Sequence, residues 1–200
     1  MGLTPVPGDQ LATVVTTLEM RERPRARPLP TSALRLVRWA APAPDAYRAL
    51  FRRVGGPWLW YSRLTLDDDA LVAVTHRAET QVHAAVDRRG IEVGLLELTH
   101  PAPDRCTLDY VGLVPELTGQ GHGGWLMTLA LQLAWRAEVR CVSVNTCTLD
   151  HPRALGFYRH AGFVAVKRTI ETFPDPRALG LLPEDAAPHI PLLASPRGTA

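Results

Sequence analysis

The sequence is poor in the features that mark several large classes of protein. Its 200 residues include three cysteines, Cys106, Cys141 and Cys147, with no C-x-x-C pair. An odd, scattered set argues against a disulfide scaffold and a zinc site, so we expect free, buried thiols. The seven histidines contain no H-E-x-x-H motif and no i, i+4 pair. We therefore expect no metal ion.

Long apolar runs and an excess of one charge are also missing. No run approaches the roughly 20 residues that cross a bilayer, and residues 1–5 lack the regions of a signal peptide. The net charge is +2, and acidic and basic residues are mixed along the chain without a basic stripe. We expect a cytoplasmic protein that binds neither membrane nor nucleic acid. A chain of this length supports one core, which predicts a single domain over residues 1–200.

The hydrophobic pattern predicts an alternation of strands and helices. We predict the core over residues 34–173, a proline- and arginine-rich connector at 21–30 and a frayed tail at 194–200. Thr65 is the expected N-cap of the second helix, Pro152 suits a first helical position, and Gly162 suits a helix end. The predicted strands are 11–20, 34–39, 81–86, 90–98, 107–114, 139–148 and one from 163; the helices are 42–53, 65–76, one after Gly124 and one at 152–161.

One βαβ unit organises this pattern. The strands at 107–114 and 139–148 enclose a helix, so they should be parallel and joined by a right-handed crossover. Four glycines, Gly119, Gly121, Gly123 and Gly124, precede that helix. Without Cβ atoms, successive amides can point at one oxyanion, and the helix dipole adds to the attraction. The stretch therefore predicts a phosphate-binding cofactor site at the carboxyl ends of the strands.

Spacing separates the possible phosphate loops. A Walker loop needs Lys and then Ser or Thr after its last glycine, where this chain has Trp125 and Leu126. The letters of a dinucleotide fingerprint are present, but residues 115–118 intervene between strand and glycines. The next strand carries no acid until Asp150. A nucleotide-binding regulatory protein is therefore a weak alternative.

Two motifs resemble the GNAT acyltransferase superfamily. Residues 115–123 resemble its acetyl-CoA pyrophosphate loop, [Q/R]-x-x-G-x-[G/A], with Thr118 in the first position and Gly121 and Gly123 as the glycines. Residues 151–163 resemble N-x-x-A-x-x-x-Y-x-x-x-G-F. Ala154, Tyr158, Gly162 and Phe163 match that pattern, and His151 stands in the Asn position. The resemblance covers about residues 34–168.

The resemblance implies a fold and a cosubstrate. It implies an α/β protein of the GNAT fold, with a mixed central sheet of about six to seven strands flanked by helices and a splayed parallel pair in the middle. Acetyl-CoA is the implied cosubstrate. The resemblance also implies a bulge at Gly112 in the strand, the Leu113 N–H as donor to the thioester oxygen, and Tyr158 as the acid that protonates the leaving thiolate. The implied cofactor-binding residues are Leu113, Val114, Thr118, Gly119, Gln120, Gly121, His122, Gly123, Gly124, His151, Ala154 and Tyr158.

The acceptor side is less specified. Glu97 and Asp109, on neighbouring predicted strands, are candidate bases for deprotonating an amine. The aromatic run at 57–61 is either core packing or the wall of an acceptor pocket. The predicted function is N-acetylation of a small-molecule or peptidyl amine. A non-catalytic acyl-CoA-binding module is the main alternative. The sequence leaves open whether the protein forms a homodimer.

Overall fold

The structure, a computed structural model, describes residues 2–25 and 28–193. The expected tail at 194–200 and two residues of the expected connector, Ala26 and Arg27, lie outside this range. The strands are β1 Gln10–Met20, β2 Arg35–Trp39, β3 Thr80–Val86, β4 Glu92–Ala102, β5 Arg105–Leu113, β6 Cys141–Cys147 and β7 Val164–Pro174. The helices are α1 Pro44–Gly55, α2 Asp68–Thr75, α3 His122–Ala134 and α4 Ala154–Ala161, with short 3-10 turns at Gly56–Trp58 and Pro115–Leu117.

The described strands form one seven-stranded sheet in the order β2-β3-β4-β5-β6-β1-β7. All neighbours are antiparallel except β5 and β6, which are joined through α3 and run parallel. The predicted mixed sheet with a central parallel pair is therefore confirmed. No helix in the described ranges is both long and apolar enough to cross a bilayer.

The N-terminal strand β1 does not lie beside β2, its neighbour in sequence. It is inserted between β6 and β7, with Val15 opposite Cys147 on one side and Thr169 on the other. Leu18 and Met20 are buried in the core there. The sequence predicted the strand but not its place, because alternation reports a buried face and carries no information on the neighbouring strand.

Three predicted helix starts are wrong, whereas Gly162 ends its helix as predicted. The first helix, α1, begins at Pro44 and not at residue 42. The N-cap of α2 is Asp67, whose carboxylate accepts from the Ala70 N–H, whereas the Thr65 hydroxyl donates to the Ser62 carbonyl. Likewise, α4 begins at Ala154, two residues after Pro152. Gly162 ends α4 with φ of +110°, a left-handed conformation that glycine adopts without steric cost.

Gly112 on β5 allows α1 to pack closely against the sheet. A Cβ atom at this position would lie 2.6 Å from Cγ1 of Val54 and 3.1 Å from the Trp60 ring. Val54 is fully buried on α1, and a β-branched side chain in a helix has one strongly preferred rotamer. The contact therefore leaves no room for a larger residue.

We expect Gly112→Ala to lower the free energy of unfolding by about 1–3 kcal/mol through overpacking. The matched control is Gly156→Ala on α4, where a Cβ would meet nothing within 4 Å. That helical replacement should be neutral or stabilise by up to about 1 kcal/mol. Urea titration of both variants measures the difference. Equal stability of the two variants would show that α1 does not press on β5 at this point.

Candidate functional site

The parallel strands β5 and β6 separate halfway along their length. Their pairing ends at Leu108 and Val144, although β5 continues to Leu113 and β6 to Cys147. On its other edge β5 stays paired with β4 as far as Leu113, and β6 stays paired with β1 as far as Cys147. Each strand is thus held by its outer neighbour, and the gap between them stays open.

A cavity of about 390 Å³ occupies this gap. It lies at the carboxyl ends of β5 and β6, where ligands bind in sheets with parallel strands. Of the predicted site residues, the structure brings eight to its wall: Asp109, Leu113, Thr118, Gly119, Gly123, His151, Ala154 and Tyr158. The other six are not part of the wall: Glu97, Val114, Gln120, Gly121, His122 and Gly124.

The β-bulge in β5 lies at Asp109 and not at Gly112. The register with β4 pairs Leu108 with Leu98 and Tyr110 with Glu97, which leaves Asp109 as the extra residue. A bulge re-aims the side chain of the extra residue and increases the local twist. It therefore accounts for both the presence of Asp109 in the cavity wall and the parting of the strands one residue beyond Leu108. The need for a glycine at position 112 comes instead from the close contact with Val54 on α1.

The backbone of β5 presents Leu113, but not Val114, to the gap. The Val114 N–H donates to the Val93 carbonyl at 2.9 Å, and the Val114 carbonyl accepts from Leu117 N–H at 3.0 Å. Val114 therefore has no backbone group left for a ligand, contrary to our expectation. Because backbone groups alternate in direction along an antiparallel strand, those of Leu113 and Val111 face the gap. Val111 is a backbone position of the cavity wall that sequence reasoning missed.

In the glycine-rich loop the Thr118 N–H donates to the Pro115 carbonyl at 3.0 Å, whereas the Gly119 and Gly121 N–H groups make no hydrogen bond within the described residues. Gly119 and Gly121 have φ of +82° and +84°, in the left-handed region. Since α3 begins at His122, the amides of its first turn have no partner inside the helix. Gln120 N–H makes one long contact, 3.4 Å, to the Leu117 carbonyl. The loop and the helix start thus bring several unpaired N–H groups together next to Thr118, Gly119 and Gly123 in the cavity wall.

The side chains of Gln120 and His122 are engaged outside the cavity. The Gln120 amide donates to the Glu116 carbonyl at 2.7 Å. The His122 imidazole Nδ1 is 2.9 Å from the Ser32 hydroxyl, which ties the helix start to the segment before β2. Any ligand contact from these two residues must therefore come from their backbone.

Glu97 belongs to a buried ion pair behind the cavity wall. Its side chain is 0% exposed, and Oε1 accepts from Arg63 Nη2 at 2.6 Å. Oε2 accepts a short hydrogen bond from the Tyr47 hydroxyl. Burial alone would lower the pKa of Arg63, but the neighbouring Glu97 carboxylate holds that pKa above its ordinary value. Both oxygens of Glu97 are occupied, so we do not retain it as a candidate base.

Asp109 is the predicted base that does reach the cavity. One carboxylate oxygen accepts from the Thr99 hydroxyl at 2.6 Å. Burial raises the pKa of Asp109 to about 6; the Thr99 hydrogen bond opposes that shift and the negative charge of Glu97 adds to it. Such a carboxylate is ionised at neutral pH and basic enough to accept a proton.

Tyr158 and Asp150 both line the cavity beyond the end of β6. Tyr158, on α4, is 8% exposed. Burial, followed by the charge of Asp150, raises the pKa of its hydroxyl above the ordinary value. Asp150 accepts from the Thr146 hydroxyl at 2.7 Å, from Cys147 N–H at 2.8 Å and from Trp60 Nε1 at 3.3 Å. Sequence reasoning missed Asp150 as a site residue, although its position just beyond the carboxyl end of a parallel strand is a usable signal.

Aromatic and acidic residues complete the wall. Trp58 and Trp60 line the cavity, which favours the acceptor-pocket interpretation of the aromatic run. Tyr61 stacks on Phe173 and donates to Glu171 at 3.1 Å. Three carboxylates, Asp109, Asp150 and Glu171, therefore line the cavity. Among the described residues, no group of three or more His, Cys, Asp or Glu side chains is arranged to hold a metal ion.

Comparison with a family model identifies the protein family. Residues 35–163 match the model of the acetyltransferase (GNAT) family, which is well over half of the chain. The chain belongs to this family. Members of this family in general use acetyl-CoA as the acyl donor. No match was found among curated proteins.

Solved structures share the fold at low sequence identity. A GCN5-related N-acetyltransferase from Sphaerobacter thermophilus is 16% identical, with a TM-score of 0.57 over 82% of this chain and 51% of that one. A tandem GNAT protein from the clavulanic acid biosynthesis pathway is 19% identical, with a TM-score of 0.57 over 82% and 53%. A functionally unknown conserved protein from Staphylococcus epidermidis is 14% identical, with a TM-score of 0.55 over 83% and 63%. The chain thus spans less than two thirds of each of these proteins.

The raised pKa of Asp109 should make stability depend on pH. The folded state holds the Asp109 proton more tightly than the unfolded state, whose aspartate pKa is about 3.9. This residue therefore stabilises the fold most at low pH, and its contribution is lost as pH rises to about 6. We expect Asp109→Asn to raise the free energy of unfolding at pH 7 by on the order of 1–2 kcal/mol and to have little effect at pH 4.

Urea titration at several pH values measures this difference. Asp185→Asn, at an exposed position, is the control and should follow the wild type throughout. A constant offset between Asp109→Asn and wild type across the pH range would argue against a raised pKa.

Proposed function

We propose that the protein transfers the acetyl group of acetyl-CoA to a primary amine by direct attack on the thioester. The observation that carries the proposal is the gap between β5 and β6, which has free amides at one end and Asp109 and Tyr158 in its wall. Acetyl-CoA supplies an activated acyl group. The protein's own residues bind it, orient it, exclude water and move protons.

The glycine loop is the proposed diphosphate cradle. The left-handed conformations of Gly119 and Gly121 turn the backbone so that consecutive amides converge. A Cβ at either position would meet nothing within 4 Å, so the constraint is on backbone conformation rather than on space. The positive end of α3 adds to the attraction for an anion. Thr118 adds a hydroxyl at the cavity wall where the family motif has a longer side chain.

Leu113 and Val111 are the proposed backbone partners of the pantetheine arm. Their N–H and C=O groups face the gap by the alternation of β5. A ligand that bonds to them takes the place that β6 vacates beyond Val144. The Leu113 N–H is our candidate donor to the carbonyl oxygen on which negative charge develops.

Asp109 is the proposed base. An ammonium group entering the cavity gives a proton to its carboxylate, and the amine nitrogen then bonds to the carbonyl carbon while the C–S bond breaks. The nitrogen loses a second proton and the sulfur leaves as thiolate, which takes up one proton. The products are an amide, free thiol and one released proton. With a pKa of about 6, Asp109 can pass its proton to solvent and be ready again at neutral pH.

Tyr158 is the proposed hydrogen-bond donor to the leaving sulfur. Its raised pKa keeps the hydroxyl protonated throughout the working range of pH. That pKa lies above the value near 8.5 of an ordinary thiol, so complete transfer of the proton to a thiolate is uphill. The stabilisation therefore comes from a short, charge-assisted hydrogen bond.

The acceptor we propose is a cationic amine with an apolar or aromatic body. Asp109, Asp150 and Glu171 supply three negative charges, against one cationic side chain in the cavity wall, Arg153. Trp58, Trp60 and Tyr110 supply aromatic faces that attract an ammonium group and shield a flat ring from water. An acidic acceptor would instead be repelled by three carboxylates.

A thiol-release assay with acetyl-CoA and an amine panel tests the proposal. We expect aryl-alkylamines to react fastest, simple alkylamines more slowly, and amines that carry a carboxylate slowest. A flat response across the panel, with CoA still raising the melting temperature, would point to the non-catalytic acyl-CoA-binding module. Stabilisation by NAD or ATP but not by CoA would instead contradict the acetyl-CoA assignment.

We expect Tyr158→Phe to lower kcat by about 10²-fold, because it removes a donor that acts on the leaving sulfur only as charge develops. CoA affinity, measured by titration calorimetry, should change little. The diagnostic readout is a panel of acyl thioesters. Thioesters with more acidic thiols need less help to leave, so the loss should shrink as the thiol pKa falls. Loss of CoA affinity with unchanged kcat would make Tyr158 a packing residue.

We expect Gly121→Val to weaken CoA binding at least tenfold, since a β-branched residue strongly disfavours a φ of +84°. The matched control is Gly124→Ala, where a Cβ would also meet nothing within 4 Å and φ is not positive. This control should retain CoA affinity within a few fold. Unchanged affinity in Gly121→Val would remove the loop conformation from the binding site.

A further inference from the structure

The chain beyond β7 packs against the end of α1 and the 3-10 turn Gly56–Trp58. We call residues 175–190 the strap; they form successive turns without a helix or strand. The Leu181 carbonyl accepts from Arg52 Nε on α1 at 3.3 Å. A Cβ atom placed on Gly56 would lie 3.7 Å from Cδ2 of Leu182, which is 4% exposed. The strap therefore covers the start of the aromatic run at 57–61.

One buried arginine holds the strap together. Arg177 is 4% exposed, and its Nε and Nη2 donate to the two carboxylate oxygens of Asp175 at 3.0 and 2.7 Å. Its Nη1 donates to the carbonyls of Ala186 at 3.1 Å and Ile190 at 2.7 Å. The planar fork of the guanidinium is suited to this arrangement, whereas an ammonium group is not. Arg177 thus ties the beginning of the strap to its end.

The turn beneath the strap has a strained backbone. Leu59 has φ of +56° and ψ of +34°, a left-handed conformation that is uncommon for a residue other than glycine. Such a conformation costs free energy and persists only where the surrounding structure holds it. Leu59 is 2% exposed, and its two neighbours, Trp58 and Trp60, both line the cavity. The conformation of Leu59 therefore sets the direction of both indole rings.

The other end of the aromatic run is held by β7. The Tyr61 ring stacks on Phe173, with the ring centroids 4.3 Å apart and the planes 8° from parallel. Phe173 is two residues before Asp175, whose N–H donates to the Asp9 carbonyl at 2.9 Å. The strap and the end of β7 are thus continuous, and together they contact the run at both ends. The placement of Trp58 and Trp60 depends on this late part of the chain.

We propose that the strap, held by Arg177, positions Trp58 and Trp60 and thereby sets the selectivity of the cavity for amines with an aromatic body. The inference rests on the proposed function, which makes the cavity the amine site. Arg177 is not part of the cavity wall, so it is a positioning residue that acts through Leu182 and the turn. A flat ring gains from aromatic faces only when they are correctly placed, whereas a short alkyl chain depends on them less.

Leu182→Ala tests the contact between strap and turn while it leaves the Arg177 ion pair in place. The chain has five tryptophans, and fluorine NMR of fluorotryptophan-labelled protein observes each of them. Trp58→Phe and Trp60→Phe assign the two resonances of interest. We expect Leu182→Ala to move these two resonances and to leave the other three in place. The matched control is Leu179→Ala, in the same strap but 55% exposed, which should move none.

Titration of the labelled protein with phenethylamine and with butylamine measures selectivity without turnover. We expect Leu182→Ala to raise the dissociation constant of phenethylamine about tenfold, because the ring meets misplaced aromatic faces, and to change that of butylamine little. Leu182→Met conserves volume and should restore the wild-type values. Val86→Ala, a truncation of a buried residue on β3 outside the cavity wall, should lower stability but bind both amines as the wild type does.

Two further measurements extend the test. In turnover with acetyl-CoA, Leu182→Ala should raise KM for phenethylamine with kcat unchanged, because the ring contact is the same in ground and transition states. Arg177→Lys keeps the positive charge beside Asp175 but loses the fork geometry. We expect it to move the same two tryptophan resonances and to weaken phenethylamine binding in the same direction as Leu182→Ala.

Three results would overturn the proposal. The first is a Leu182→Ala protein in which the Trp58 and Trp60 resonances do not move. The second is an equal weakening of phenethylamine binding in Val86→Ala, which would reduce the effect to lost stability. The third is a wild type that binds phenethylamine no better than butylamine. A wild type that binds phenethylamine selectively but transfers no acetyl group would instead contradict the proposed reaction and support the positioning role.

Discussion

The site depends on two strands that cannot pair with each other over their full length. Beyond Leu108 and Val144 the carboxyl-terminal halves of β5 and β6 diverge. Open backbone groups inside a protein are costly, and a sheet normally closes such a gap. Here β4 holds the far edge of β5, β1 holds the far edge of β6, and the bulge at Asp109 twists β5 away. The backbone groups of Val111 and Leu113 that face the gap therefore have no neighbouring strand.

The electrostatics of the site follow from what lies behind this gap. Glu97 is fully buried and pairs with Arg63, while Arg63 also lies over the Tyr110 ring at 5.1 Å. Such a pair is costly to desolvate, and removal of one partner would leave an unpaired charge in the core. Besides burial, which raises the pKa of Asp109 most, the two charges of this pair act on that pKa in opposite directions: Glu97 raises it and Arg63 lowers it. The ion pair therefore positions and tunes the wall of the cavity without entering it.

The position of β1 connects the site to the edge of the molecule. Its insertion between β6 and β7 supplies the support that holds the gap open, and it also makes β7 the last strand of the sheet. Val15 and Glu171, from these two strands, line the same cavity as the ends of β5 and β6. A strand from the N-terminal end thus shapes the cavity as directly as the glycine loop does. It also makes the exposed strand β7 the edge of the sheet, from which Glu171 reaches the cavity wall.

Local features of the site could be predicted from the sequence because they depend on residues close together in the chain. The density of glycines before α3, the register of Tyr158 and Gly162 on α4, and the parallel pair that encloses α3 all belong to this group. Four features could not be predicted: the place of β1, the location of the bulge, the hydrogen bond from Val114 to Val93 that removes Val114 from the site, and the choice between Glu97 and Asp109. Each depends on contacts between segments far apart in the chain, such as Glu97 with Tyr47 and Arg63.

The sequence alone determined which residues could bind and react, whereas the tertiary structure decided which of them face the gap, because burial and strand order are set by packing and not by local pattern.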